Sequence, residues 1–357
     1  MIGQRLYRAR KAAGLSLRDL GAQVGLTHAA IKKYEDEQAT PSSTTLLKLA
    51  RALNVRTEYF FRPETVALDR IEYRKRSTLP KKRLEAIEHE VIDQIERRIE
   101  LENLFPSPPV VPFAPVTVTG LPTSISDLAQ IEDAAEAVRK SWDLGYDPIP
   151  DLIDVLETHG IRVFMIDANA DPKFDGLAAS VNQMPIIVVG SNWPGDRQRF
   201  TLAHELGHLM LGDRLADGIN EEIACNRFAG AFLIPRQSVT QELGVRRNYI
   251  EPKELALLKE EFGLSMAGIL YRARDLGIVS PAWRDDQAKL FRIKGWHLTE
   301  PGKPYPPEKA HIFEQLIFHA LGEDYIGESK AAELMKMSLT TFQTVRSLEG
   351  SDAATHQ

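Results

Sequence analysis

Over residues 1–61 the apolar positions fall in short groups at helical spacing, broken by tight punctuation. Ile2, Leu6 and Ala9 share one face before Gly14 interrupts. Ser16 then precedes Leu17-Arg18-Asp19-Leu20 with an acid three residues on, which is the pattern of a capping box. A second helix is therefore expected from about Leu17 to Gly25. Thr27 is placed to cap a third, His28 to about Glu35, which carries Ala30, Ile31 and Tyr34. A fourth follows Pro41-Ser42-Ser43 and turns Leu46, Leu47, Leu49, Ala50 and Leu53 toward a core. Ala22, Val24, Leu26, Ile31 and Leu49 are the expected interior of this small bundle.

Between Leu84 and Leu104 the apolar residues Leu84, Ile87, Val91, Ile95 and Ile99 recur every three or four positions in a charged background. Such a stripe joins two domains or pairs with its copy in a dimer. The following "FPSPPVVPFAPVTVTGLP" is too rich in proline for a helix and reads as an extended linker or a strap along a surface. Helices are then expected over Ile131 to Trp142 and Leu152 to His159, closed by Gly160. Short β-rich runs follow, "IRVFMID", "GLAASV" and "PIIVVG", which make a small sheet. "DRQRFTLAHELGHLMLGD" and "NEEIACNRFAGAFLIP" return to helical patterning. In the last part, Ile312, Phe313, Leu316, Ile317 and Leu321 mark an amphipathic helix, "GESKAAELM" starts another, and "SDAATHQ" reads as a disordered tail. The expected fold is mainly α with a small β-sheet (α+β). The expected divisions are a helix-turn-helix bundle over 1–62, a connecting helix and Pro-rich linker over 63–125, a zincin-like domain over 126–282 and a helical accessory region over 283–357.

Charge changes this picture. The chain carries a formal net charge of −6, yet residues 1–83 hold 18 Lys+Arg against 8 Asp+Glu, a net of +10 that leaves −16 for the remainder. A basic front end suits a polyanionic partner, and the acidic remainder suits a different task. The single cysteine, Cys225, excludes an intramolecular disulfide and a site of several thiolates. Any metal must therefore be held by histidine and carboxylate. Neither an apolar leader region nor an uninterrupted run of about 18 apolar residues appears, so no membrane partner is expected and the expected location is the cytoplasm.

Two helices joined by a short turn containing Gly25 form the helix-turn-helix arrangement, whose second helix enters the major groove N-terminus first. Thr27, His28, Ala29, Lys32 and Lys33 are the candidate DNA-binding residues, and the implied partner is a double-stranded operator. The stretch "LSLRDLGAQVGLTHAAIKKYEDEQATPSSTTLLKLARAL" resembles the Xre/Cro repressor family over about one-sixth of the chain. It departs from that family at Glu37-Gln38, where a glycine usually follows the third helix. The resemblance implies a transcription regulator, and reading two half-sites favours a homodimer.

The second constellation is His204-Glu205-Leu206-Gly207-His208. Residues four apart on a helix share a face, so the two imidazoles can converge on one ion at about 2.0–2.1 Å each, with Glu205 beside them. A zinc ion with three protein ligands lowers the pKa of its water to about 7, and a neighbouring carboxylate can take the proton and pass it to a leaving amine. Glu222 is assigned as the third ligand. Asn226, one turn on, is an outer group that could accept from a ligating histidine. Glu221 is the alternative ligand, but it points about 100° away on the helix. Cys225 reads as a small buried hydrophobe, His159 as a helix-end cap, and His297, His311, His319 and His356 as surface or core residues.

From about Ile131 to Val279 the chain resembles the ImmA/IrrE family of bacterial metallopeptidases, through "DGLAASVNQMPIIVVGSNWPGDRQRFTLAHELGHLMLGD", "EEIACNRFAGAFLIP" and "LKEEFGLSMAGILYRARDLGIV". Cys225 stands where that family usually carries alanine. The resemblance implies zinc (Zn2+) held by His204, His208 and Glu222, with Glu205 as general base. It also implies an edge strand, in "GLAASV" or "PIIVVG", on which a substrate peptide would lie. The expected function is a DNA-binding regulator with a zinc endopeptidase domain acting on a protein substrate, either a repressor or itself. The alternative is a non-proteolytic repressor or antitoxin-like protein that uses the peptidase fold as a sensor.

Overall fold

The computed structural model describes residues 2–62, 81–114, 118–167, 174–181 and 184–348, with residues 81–84 described by backbone alone. Within these the chain is mainly helical with one three-stranded sheet, the α+β composition expected. The described residues divide into two compact units, one built from 2–62, 81–109 and 311–348, the other from the described part of 110–310. The region 283–357 thus falls in both, since residues from His311 onward return to the first unit. The tail "SDAATHQ" and His356 lie outside the described residues.

The first unit opens with α1 (Ile2–Ala12), α2 (Leu17–Val24), α3 (His28–Glu35), α4 (Ser43–Ala52) and a 3-10 turn, Thr57–Phe61. Local chemistry fixes these boundaries. Ser16 Oγ accepts from the Asp19 amide at 3.1 Å while Asp19 Oδ2 accepts from the Ser16 amide at 2.9 Å, completing the capping box. Gly25 ends α2 at φ 72°, the left-handed conformation that side chains with a Cβ disfavour. Glu37, just past α3, takes the same kind of conformation, φ 57°.

Leu6, Leu20, Ile31, Leu49 and Phe60 are fully buried, with Val24, Leu46, Ala50 and Leu53 around them. Two core expectations are corrected. Ala22 is exposed, because it lies on the outer side of α2 beside Gln23. Leu47 is 50% exposed, because the buried stripe of α4 is already complete with Leu46, Leu49 and Ala50.

Helix α5 (Lys81–Glu102) packs on α1 and on α14 (Ile312–Gly322). Its Ile87, Val91 and Ile95 are buried, so the apolar stripe is met within the chain. Ion pairs on and around α5 add to this packing. Arg5 and Arg8 of α1 both reach Glu96, and Arg97 pairs with Asp93 at 3.3 Å. Two short helices follow, α15 (Glu328–Leu334) and α16 (Leu339–Ser347). They are tied in by Arg62 to Glu333 and by Lys336 to Asp93 at 2.7 Å. Phe105 meets the rings of His319 and Tyr325 edge-on.

In the second unit the described part of the Pro-rich segment lies along the core, with Val110 and Val118 buried and Phe113 packed on it, and residues 115–117 lie outside the described residues. It leads to α6 (Gln130–Ser141) and α7 (Leu152–Thr158), then β1 (Arg162–Ile166), β2 (Gly176–Val181) and β3 (Met184–Gly190). The strand order is β1-β3-β2, with β1 parallel and β2 antiparallel to β3. "PIIVVG" is therefore the central, buried strand and "GLAASV" lies at an edge. Helix α8 (Gly195–Leu211) packs across β2 and β3 and against α9 (Glu221–Leu233). Helices α10 (Arg236–Leu243), α11 (Pro252–Phe262), α12 (Met266–Asp275) and α13 (Pro281–Ile293) complete the unit.

Buried charge pins this core together. Arg199 of α8 is wholly buried against Glu308, which also accepts from the Leu152 amide at 2.7 Å at the start of α7. Arg272 grips Glu132 of α6 with two nitrogens, at 2.7 and 3.0 Å. His159 ends α7 as expected, with Nδ1 2.8 Å from Val155 O and its ring stacked on Trp142.

Candidate metal centre and DNA-reading helix

The metal candidate is assembled by two helices. On α8, His204 and His208 lie one turn apart with ring centroids 4.8 Å from each other. On α9, Asn220 caps the first turn by accepting from the Ile223 amide at 3.0 Å, which fixes where Glu221 and Glu222 emerge. The helices can approach because position 207 is glycine: a Cβ there would lie 3.2 Å from Cys225 Cα and 3.3 Å from both Cys225 Cβ and Phe228 Cδ1.

Three donor atoms converge. His204 Nε2 is 3.1 Å from His208 Nε2 and 3.5 Å from Glu222 Oε2, and His208 Nε2 is 3.7 Å from Glu222 Oε1. A tetrahedral ion with ligands at about 2.0–2.2 Å separates those ligands by roughly 3.3–3.5 Å, so the spacing and the N,N,O donor set fit a zinc-sized cation. Neutral imidazoles would not otherwise bring two Nε2 atoms face to face without a proton or an ion between them.

The other imidazole nitrogens are occupied as well. Asn226 Oδ1 is 2.9 Å from His204 Nδ1 and Glu221 Oε1 is 3.0 Å from His208 Nδ1. Each oxygen accepts from an Nδ1–H, a tautomer that leaves Nε2 as the lone-pair donor. Glu221 was missed in this role. It is 100° from Glu222 around α9, and that very offset takes it to the far side of the second imidazole. Cys225 is fully buried, as expected of a small hydrophobe, and its Sγ lies 3.2 Å from His208 Nδ1. His208, Glu221 and Cys225 thus form a second cluster of metal-competent atoms sharing one histidine with the first. Glu205 follows His204 on α8 and is half-buried.

In the first unit, α2, the turn at Gly25 and α3 form the helix-turn-helix. Thr27 Oγ1 accepts from the Ala30 amide at 3.2 Å, so this residue caps α3 while remaining exposed. His28, Ala29, Lys32 and Lys33 are exposed on the same helix. Lys32 reaches Asp36 at 2.6 Å. Arg10 holds the buried Glu35 carboxylate with two nitrogens, at 2.5 and 2.9 Å, which anchors the C-terminal end of α3 to α1. No described helix is long and apolar enough to cross a membrane.

Two stretches of the chain match known protein families. Residues 6–60 match the family described as helix-turn-helix, and residues 156–274 match the family described as IrrE N-terminal-like domain. A 60-residue stretch is 38% identical to an uncharacterized HTH-type transcriptional regulator of Rickettsia prowazekii (strain Madrid E), covering 17% of this chain and 46% of that relative. The chain accordingly joins a helix-turn-helix domain of the transcription-regulator type to an IrrE-like peptidase domain of the M78 family.

Proposed function

We propose that the chain is a DNA-binding regulator whose second unit is a zinc-dependent endopeptidase, with a protein substrate that is a repressor or the chain itself. The observation that carries this reading is the convergence of His204 Nε2, His208 Nε2 and a Glu222 carboxylate oxygen at 3.1–3.7 Å, each imidazole being oriented from behind by an oxygen acceptor.

In this reading His204, His208 and Glu222 hold the ion. Bound there, zinc supplies a Lewis acid that polarises a peptide carbonyl and brings the pKa of a water to about 7. Glu205 takes the proton of the attacking water and delivers it to the leaving amine. Asn226 and Glu221 keep both Nδ1 positions protonated. Strand β2, at the sheet edge and packed on α8, offers backbone groups along which an extended substrate can add as a further strand. Thr27, His28, Ala29, Lys32 and Lys33 face the operator, His28 and Ala29 nearest the base edges and the lysines on phosphates. Because α5 is covered within the chain, a homodimer on a two-fold operator would use another surface. A cytoplasmic site of action follows from a DNA partner.

The test is the metal content of the purified chain and of Glu222→Ala, measured by elemental analysis, together with cleavage assays of Glu205→Gln. One zinc per chain, lost in Glu222→Ala, and a Glu205→Gln protein that keeps zinc but loses cleavage are the expected results. A wild type that takes up no zinc after supplementation would instead leave a regulator using its peptidase fold as a sensor.

A further inference from the structure

The first unit contains a cavity of about 320 Å³ that plays no part in the reading above. Three stretches far apart in sequence wall it: the segment around Arg56 and Arg62 that closes the helix-turn-helix bundle, the middle of α5, and the residues joining α15 to α16. The volume is at the lower end for small-molecule sites.

Its charges are unbalanced. Arg56, Arg62, Arg97 and Lys336 face it against only Asp93 and Glu333, an excess of two positive charges. Helix α16 starts at its wall. Ser338 and Leu339 line the cavity, and the Ser338 hydroxyl is spent on the Thr341 amide at 3.0 Å. The first amides of α16 have no carbonyl within the helix to bond, and they add partial positive charge at that end.

Asp93 supplies a different requirement. Its side chain is 8% exposed, and Oδ2 accepts from Lys336 Nζ at 2.7 Å and Arg97 Nε at 3.3 Å. Oδ1 is fully buried and accepts no hydrogen bond, the Arg62 guanidinium nitrogen standing off at 3.8 Å. A buried carboxylate oxygen without a donor is rare in folded proteins, and the residue that carries it lines the cavity.

We propose that this cavity binds a small phosphate monoester that carries a free hydroxyl group, the class of polyol and sugar phosphates. The phosphate dianion balances the two surplus positive charges beside Arg56, Lys336 and the start of α16, and the hydroxyl donates to the Asp93 carboxylate. The bound molecule bridges the last turn of the DNA-reading bundle to α5 and the C-terminal helices. Its occupancy therefore reports a metabolite level to the unit that reads DNA.

The test is calorimetric titration of the full chain with glycerol 3-phosphate, propyl phosphate, inorganic phosphate and malate. Glycerol 3-phosphate is expected to bind one per chain and about tenfold more tightly than propyl phosphate, which has the same charge but no free hydroxyl. Arg56→Glu should abolish binding of both esters, and so should Met337→Trp, which fills the cavity. Circular dichroism checks that each variant is folded. Absence of saturable binding in the millimolar range would overturn the site. Equal affinity for the two esters would overturn the role of Asp93, and tighter binding of malate would overturn the phosphate class. Binding that survives in folded Arg56→Glu and Met337→Trp would place it elsewhere and overturn the proposal as a whole.

Discussion

Asn226 Oδ1 sits 2.9 Å behind the ring of His204, on the nitrogen opposite the one that faces Glu222. The amide oxygen placed there accepts from Nδ1–H, and so holds both the tautomer and the rotation of the imidazole. Asn226→Ala is expected to weaken zinc affinity about 10- to 100-fold without removing a ligand. Glu221→Ala should do the same through His208. Competition with a chromogenic chelator measures both, and an unchanged affinity would leave these contacts without a role in tuning the site.

Gly207→Ala sets two effects against each other. Alanine in a helix gains about 0.5–1 kcal/mol over glycine, while forcing a methyl group into a packed interface costs about 1–3 kcal/mol. All three nearest atoms lie at 3.2–3.3 Å and two belong to the backbone-proximal part of Cys225, so the cost should win. The expected outcome is a net loss of about 1 kcal/mol with weaker zinc binding as α8 and α9 separate. Urea melts with and without zinc would show it.

Removing Glu308 leaves Arg199 charged and wholly buried, and also takes the acceptor from the Leu152 amide at the start of α7. Glu308→Ala should cost about 3–5 kcal/mol. The paired replacement Arg199→Met with Glu308→Leu should cost less, since no lone charge remains. Chemical denaturation of the two variants separates the cases.

On DNA, Lys33→Ala should weaken affinity for every sequence and lower the slope of log K against log salt by up to about 0.9. Lys32→Ala should do less, because Lys32 is already shared with Asp36 at 2.6 Å. Binding measured over a series of salt concentrations gives both slopes, and two unchanged slopes would take α3 out of the groove.

His89, on α5 against the Tyr7 ring, has its pKa pushed down to about 4, chiefly by burial, with Arg8 and Lys11 adding to the effect. The unfolded chain takes up this proton near pH 6.5, whereas the folded chain resists it until about pH 4. Between those values the unfolded state binds more protons, so stability falls as pH falls. His89→Phe should flatten that part of the profile relative to wild type, which thermal melts from pH 7 to pH 4 would reveal.

The sequence displayed those features whose causes are local. Ser16 with Asp19, Gly25 and Thr27 are written within a few residues of what they cap, and the four-residue step from His204 to His208 needs only a helix. Features made by distant partners were hidden. Arg5, Arg199 and Arg272 are among the largest fully buried side chains, although arginine reads as surface until its carboxylate is known. Glu221 was set aside because its Cβ points off the ligand face, yet its side chain reaches the second nitrogen of His208. Leu47 looked interior because periodicity counts apolar residues and does not say when a face is full.

The return of residues 311–348 to the first unit has a consequence for synthesis. A growing chain emits the helix-turn-helix bundle and α5 early, then the whole of 110–310, and only afterwards the helices that cover α5. At about 5–20 residues per second, the bundle waits roughly 10–40 seconds on the ribosome with Asp93, Arg97 and Glu100 still lacking their C-terminal partners. A transcript cut short after α9 would therefore yield a chain that retains His204, His208 and Glu222 but leaves α5 without the helices that cover it.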